Sequence, residues 1–248
     1  MKKTLFIVML IISILFVYGE QITVEEILDK IDFNMTPESL KYEGEMIISR
    51  PGREMVKKFT SYGVGTNKSY MEFTYPPRDR GTKYLRIDND LWMYLPGASR
   101  TVKISGHMLR QSMMGSDFSY EDQTENQGLK DQYEAKILNE EIYEDKAVYV
   151  IELRAKEGID PVYFMQKIWV DKEKFIYYKA ELFGRSEKLL KEMFFYEYTK
   201  INEKYYPKKM KIEDNLKTDS YTEIIMHNLE LDINIPASVF TLQNLERK

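Results

Sequence analysis

The residues most suggestive of chemistry are Ser116 and Asp117, which lie in a Gly-Ser-Asp-Phe stretch. A serine nucleophile requires a histidine base, and in many hydrolases the serine stands in a G-x-S-x-G turn. The chain has no such motif, and its only histidines are His107 and His227. Ser119 is followed three residues later by an acidic residue, which is the spacing of a helix capping box. We therefore predict a structural role for this stretch rather than hydrolase activity.

Metal chemistry is no better supported by the sequence. With no cysteine and two distant histidines, the chain lacks the ligand spacing of a zinc or iron site. Asp88-Asn89-Asp90 offers oxygen ligands, but it is too short for a calcium loop and is typical of a hairpin turn. We predict no catalytic residue, no metal and no cofactor, and hence a protein that is not an enzyme.

The Met-rich segment His107–Met114 (HMLRQSMM) points to binding instead. Its apolar residues have the spacing of one face of a short helix, and Gly106 and Gly115 on either side would let it move as a unit. Methionine is flexible and polarizable and is common on surfaces that accept varied apolar ligands. Packing of these methionines into an ordinary core is the alternative. We predict that the following residues line an apolar cavity or its lid: Trp92, Met93, Leu95, Met108, Leu109, Met113, Met114 and Phe118.

The start of the chain is typical of an export signal. Lys2 and Lys3 precede the apolar run Leu5–Val17, which is too short to span a bilayer comfortably. We predict a signal peptide over residues 1–19, cleaved near Gly19, with an uncleaved anchor as the alternative. Residues 20–248 then form one domain, long enough for a substantial core without disulfides. The formal net charge of −4 argues against nucleic acid as a partner.

The elements that must position these residues are mostly strands. Thr23–Phe33 is predicted to form a helix, with Thr23 and Glu26 as its capping box. After Pro37 the apolar residues alternate with a period of two over about eleven strands. A sheet with one apolar face must cover that face. We therefore predict a mainly β fold: a single curled antiparallel sheet, an unclosed β-barrel, in which a few helices cover an apolar cavity.

Two strands give finer expectations. Leu91–Leu95 is apolar on both faces, which predicts burial on both sides. In the strand Leu189–Tyr198, alternation predicts that Phe194 and Tyr196 belong to the apolar inner face. The charges at Arg78, Arg80 and Arg100 flank the first of these strands. They are candidates for contact with an anionic headgroup, and each is also explained as an ordinary surface charge.

Nearly all of the chain after the predicted signal peptide resembles the LolA-like family of outer-membrane lipoprotein-sorting proteins. The resemblance implies an unclosed antiparallel barrel with helices over an apolar cavity, in a soluble periplasmic carrier that shields acyl chains. It is carried by these residues: Pro76–Arg78, Gly81–Leu85, Leu91–Pro96, Arg100, Met114–Asp122, Ile168–Asp171, Leu189–Lys191, Val239–Thr241 and Leu245–Arg247.

The function implied by this resemblance is non-enzymatic transfer of a lipoprotein or another lipid toward the outer membrane. Because relatives often accompany lipid-exporting pumps, an inner-membrane transporter is a candidate partner. The alternative is an envelope sensor or adaptor that uses the same fold to bind a protein partner.

Overall fold

The computed structural model describes residues 22–124 and 128–247. The predicted signal peptide, residues 1–19, lies outside the described residues. The described part of the chain contains three α-helices and thirteen strands: α1 Val24–Met35, α2 Leu129–Gln132 and α3 Leu242–Glu246; β1 Ser39–Arg50, β2 Arg53–Val64, β3 Lys68–Tyr75, β4 Lys83–Ile87, β5 Asp90–Leu95, β6 Arg100–Ile104, β7 Tyr133–Tyr143, β8 Lys146–Ala155, β9 Met165–Asp171, β10 Tyr177–Phe183, β11 Leu189–Ile201, β12 Lys204–Asp214 and β13 Tyr221–Leu231.

All thirteen strands form one antiparallel sheet in the order β6-β5-β4-β3-β2-β1-β13-β12-β11-β10-β9-β8-β7. The pairing of β1 with β13 joins the N-terminal half of the sheet to the C-terminal half. Because β6 and β7 are the two edges, the barrel is unclosed, which confirms the predicted fold. The sequence analysis missed β6, a five-residue edge strand whose apolar residues are only Val102 and Ile104.

Helix α1 covers the C-terminal half of the inner face. Its capping box is confirmed, since the Glu26 amide donates to Thr23 Oγ1 at 3.2 Å and the Thr23 amide donates to the Glu26 carboxylate at 2.8 Å. Ile27, Leu28 and Ile31 are spaced three and four apart on one face of the helix, and they pack into a core formed by β7 to β11. The helix fills this half of the barrel with aliphatic side chains.

A loop, residues 105–123, covers the N-terminal half of the inner face, and we call it the covering loop. It contains three short 3₁₀ helices, Gly106–Arg110, Met113–Gly115 and Glu121–Gln123. The first two stand where a single helix was predicted for His107–Met114. That prediction was wrong because the chain doubles back. The Met113 amide donates to the Phe118 carbonyl at 2.8 Å, and Met114 adopts a left-handed conformation with φ of 53°.

The outer face of β2 to β5 is covered by the C-terminal segment of the chain. Phe240 and Leu245 pack there against Tyr70, Leu85 and Tyr94. Strand β5 therefore lies between the interior of the barrel and this outer cluster. The predicted burial of Leu91–Leu95 on both faces is confirmed, as Leu91 belongs to the inner cluster and Tyr94 to the outer one.

The outer face of the other half shows an unexpected arrangement of aromatic side chains. Phe195 is buried inside, whereas the ring of Phe194 lies 5.7 Å from the Nζ atoms of both Lys179 and Lys211. The Tyr196 ring likewise lies 5.9 Å from Lys209 Nζ. The predicted inner placement of Phe194 and Tyr196 is therefore wrong. Lysines that stack on aromatic rings stabilise those rings on the outer face. The alternation of aromatic residues along this strand was therefore not sufficient to identify its inner face.

Candidate functional site

Six of the eight predicted cavity residues come together in the inner cluster of the N-terminal half. Met113 and Phe118 are buried in it, with 1% and 5% of their surface exposed. Half-buried apolar residues of β5 and the covering loop pack against the same cluster; these are Met93, Met108, Leu109 and Met114. Of the six, Met113 and Phe118 also line cavities. Contact of any of the six with a ligand stays a prediction.

The remaining two residues lie elsewhere. Trp92 packs in the outer cluster with Tyr94, and Lys103 Nζ lies 5.6 Å from its ring. Its predicted place in the cavity wall is wrong because side chains alternate along β5, so that Trp92 and Met93 face opposite sides. Leu95 is half-buried at the end of the same strand and is not a member of either cluster.

Three neighbouring cavities adjoin the inner cluster. The first, of about 240 Å³, lies between the covering loop and β1 to β5, where it is lined by Met71, Tyr84 and Met113. The second, of about 300 Å³, adjoins the end of α1 at Met35. The third, also of about 240 Å³, lies between α1 and the covering loop at Phe118. Each is at or below the lower end of the roughly 300–1,000 Å³ of typical ligand sites.

The cavities share their walls. Leu40, Gly63, Ser69 and Arg86 line both the first and the second. Met35 lines both the second and the third. The three cavities are therefore adjacent, around the end of α1 and the covering loop.

A row of paired residues across four strands forms the wall between the first two cavities. Leu40 pairs with Gly63, Gly63 with Ser69, and Ser69 with Arg86. A Cβ placed on Gly63 would meet only ordinary neighbours, the Lys68 carbonyl oxygen at 3.7 Å and Leu40 Cβ at 3.8 Å. The small residues at the centre of the row therefore leave open space beside the arginine.

Arg86 is the one charged member of this row, and only 6% of its surface is exposed. Its guanidinium donates to the Thr66 carbonyl at 2.7 Å and to the Asp88 carbonyl at 3.2 Å. Nε is the single buried side-chain nitrogen or oxygen without a hydrogen-bond partner in the described part of the chain. Burial lowers the pKa of this guanidinium below its ordinary value. The sequence analysis overlooked Arg86, although its spacing from Tyr84 puts both on one face of β4.

A buried carboxylate anchors the covering loop to the sheet. Asp117 accepts hydrogen bonds from Ser220 Oγ at 2.6 Å, Thr222 Oγ1 at 2.7 Å and Arg50 at 2.9 Å, and Lys217 Nζ lies 3.2 Å away. Burial on its own would raise the pKa of Asp117. The hydrogen bonds from Ser220, Thr222 and Arg50 outweigh this effect and hold the pKa below its ordinary value. The Gly-Ser-Asp-Phe stretch is thus a fixed part of the loop.

The neighbouring serines also have structural partners. Ser116 is fully buried, and its Oγ donates to the Met113 carbonyl at 2.7 Å, whereas His107 and His227 are exposed. The predicted capping box is confirmed, since the Ser119 amide donates to Asp122 at 2.7 Å and the Asp122 amide donates to Ser119 Oγ at 3.3 Å. This arrangement brings no base to the serine.

In residues 22–124 and 128–247, no group of three or more His, Asp or Glu side chains is arranged to hold a metal ion. Within the same ranges, no helix is both long enough and apolar enough to cross a membrane.

Solved structures share this architecture over almost their whole length. A DUF1329 family protein from Desulfovibrio piger is 27% identical, with a TM-score of 0.81 over 89% of this chain and 97% of that one. A domain from Vibrio parahaemolyticus, assigned to outer membrane lipoprotein sorting, is 22% identical, with a TM-score of 0.79 over 90% and 98% of the two chains. A LolA superfamily protein from Nitrosomonas europaea is 24% identical, with a TM-score of 0.75 over 90% and 100%.

These similarities show that the fold is LolA-like, as the resemblance in the sequence implied. Residues 65–247 match the model of a family described as "-like: Uncharacterized protein", and the chain belongs to that family. No curated protein sequence matches the chain.

Proposed function

We propose that this protein is a non-enzymatic carrier that holds the acyl chains of a lipoprotein or another lipid in its interior. The observation that carries the proposal is the set of three adjacent cavities beside the Met-rich inner cluster. The walls come from the sheet and the cover from α1 and the covering loop.

The energetics of acyl burial suit such an interior. Each buried methylene contributes about 0.8 kcal/mol of transfer free energy. The cavities are individually small, so a long chain would have to move side chains that now adjoin them. Met71, Met113 and Met193 line these spaces, and unbranched methionine changes shape at low cost. A carrier makes and breaks no covalent bond, which is consistent with the structural roles of Ser116 and Asp117.

The proposed cellular role is transport across the periplasm toward the outer membrane. The predicted export signal supports this location, and the shared fold with proteins assigned to lipoprotein sorting supports this direction. The donor would be an inner-membrane transporter that releases the lipid to the carrier.

Binding of a fluorescent long-chain alcohol, which has no charged headgroup, tests the proposal directly. We expect the probe to gain fluorescence with the wild-type protein. Gly63→Leu should abolish most of this gain, because the new side chain enters the wall shared by two cavities. Gly97→Leu is the matched control, as Gly97 is exposed and a Cβ atom placed on it would have no neighbour within 4 Å.

Native mass spectrometry of protein purified gently from its own cell envelope provides the second measurement. We expect a bound lipid or lipopeptide. Absence of bound lipid together with no gain of probe fluorescence would contradict the carrier function and favour the sensor or adaptor alternative.

A further inference from the structure

Arg86 is a buried cation in the wall of the interior. It lies on the inner face of β4 beside Ser69 and lines both the first and the second cavity. The terminal nitrogens donate hydrogen bonds to the carbonyl groups of Thr66 and Asp88, and the Nε–H group has no hydrogen-bond partner among the described residues. The side chain is therefore fixed by two turns and still has hydrogen-bonding capacity.

The Asp88 carboxylate favours the charged form of this guanidinium electrostatically, but burial has the larger effect on its pKa. Within the described residues, no carboxylate forms a salt bridge with Arg86. Of the other charged residues that line the same two cavities, Lys68 is also a cation, and Asp122 is paired with Lys191 at 2.6 Å. A buried cation without an ion-pair partner is costly, and an anion that enters beside it relieves that cost.

We propose that Arg86 binds the anionic oxygen at the polar end of a bound lipid, a carboxylate or a phosphate, while the acyl chain occupies the adjoining apolar space. This assignment rests on the proposed carrier function and names the class of its cargo as an acidic acyl lipid. Charge-assisted hydrogen bonds to a guanidinium are the strongest available to such a headgroup.

The arginines singled out in the sequence are less suited to this role. Arg78, Arg80 and Arg100 are exposed to solvent, where water and salt weaken their attraction for an anion. Arg86 differs from them because it is buried and adjoins a cavity.

The test compares hexadecanoate with hexadecanol, which has the same chain and a neutral end, by displacement of the fluorescent alcohol. We expect the wild-type protein to bind hexadecanoate about tenfold more tightly, the effect of one charge-assisted hydrogen bond. Arg86→Met should remove this preference, so that the two lipids bind equally, whereas Arg86→Lys should keep part of it. Arg53→Met, at an exposed position in β2, is the control and should behave like the wild type.

Three outcomes would overturn the assignment. Equal binding of hexadecanoate and hexadecanol by the wild type would do so while leaving the carrier function intact. An undiminished preference in a folded Arg86→Met variant would also do so. Inorganic phosphate that binds through Arg86, without any preference between the two lipids, would identify a site for a free anion instead. If Arg86→Met does not fold, the assignment is tested by the relative affinity of the wild type for the two lipids and by the preference that Arg86→Lys retains. Failure of both lipids to bind the wild type would contradict the carrier function itself.

Discussion

At the scale of single residues, two glycines on the inner face have opposite surroundings. Gly44 in β1 lies under the Phe59 ring, and a Cβ built on it would be 2.1 Å from Phe59 Cζ. Phe59 is itself buried among Tyr42 and Phe73. Gly63, in the neighbouring strand, adjoins open cavity. The first glycine is thus required by packing, whereas the second leaves space.

We predict that Gly44→Ala lowers the free energy of unfolding by about 1–3 kcal/mol, the usual cost of overpacking a filled core. Gly63→Ala should be neutral or stabilising by about 0.4–1 kcal/mol, because it restricts the unfolded chain without a clash. Urea unfolding of the two variants measures the difference. Equal stability of the two would contradict the distinction between filled and open parts of the interior.

At the scale of elements, α3 is a covering element that depends on its packing. A helix of five residues has no independent stability in water. Leu245 is fully buried against the outer face of β2 to β5, whereas Leu242 in the same helix is 44% exposed.

Leu245→Ala should therefore lower the free energy of unfolding by about 2–5 kcal/mol, since it opens a cavity beneath the C-terminal segment. Leu242→Ala should change it by less than about 0.5 kcal/mol, as expected for an exposed position. Thermal or urea unfolding of both variants provides the measurement. A large loss of stability in Leu242→Ala would show that the helix packs through its other face.

At the scale of the whole molecule, Asp117 lies over the junction of the two halves of the sheet. Its partners include Arg50 in β1 and Thr222 in β13, the pair of strands at that junction. The covering loop is thereby fixed to both halves through one buried carboxylate.

The lowered pKa of Asp117 predicts how stability depends on pH. Because the folded pKa is below the ordinary value of 3.8, the stabilisation is complete well above that value and is lost as pH falls through the folded pKa. We expect Asp117→Asn to cost about 2–4 kcal/mol at neutral pH, with a smaller difference from wild type below pH of about 4.

Urea unfolding from pH 7 to pH 3 checks this prediction. Asp219→Asn is the control, because it removes a nearby carboxylate that is exposed. A difference between Asp117→Asn and wild type that does not change over this pH range would contradict the assigned role of the charge.

Local patterns were sufficient for the strands other than β6, for the capping boxes at Thr23 and Ser119, and for the double-sided burial of β5. Each of these features depends on residues only a few positions apart, whose hydrophobic periodicity and capping hydrogen bonds can be identified from the sequence. The patterns failed for the helix expected at His107–Met114, because the bond between Met113 and Phe118 closes a loop instead. They also failed for Phe194 and Tyr196, because lysines of neighbouring strands stack on those rings.

The sequence by itself determined an all-antiparallel sheet, one apolar face and a Met-rich segment near it, since these follow from alternation and composition. Only the tertiary structure decided which strand faces turn inward, and it placed Trp92 outside and Met93 inside. It also brought Gly63, Ser69 and Arg86 into one row across three strands. Contacts between strands depend on register over long sequence separations, and no local period encodes that register.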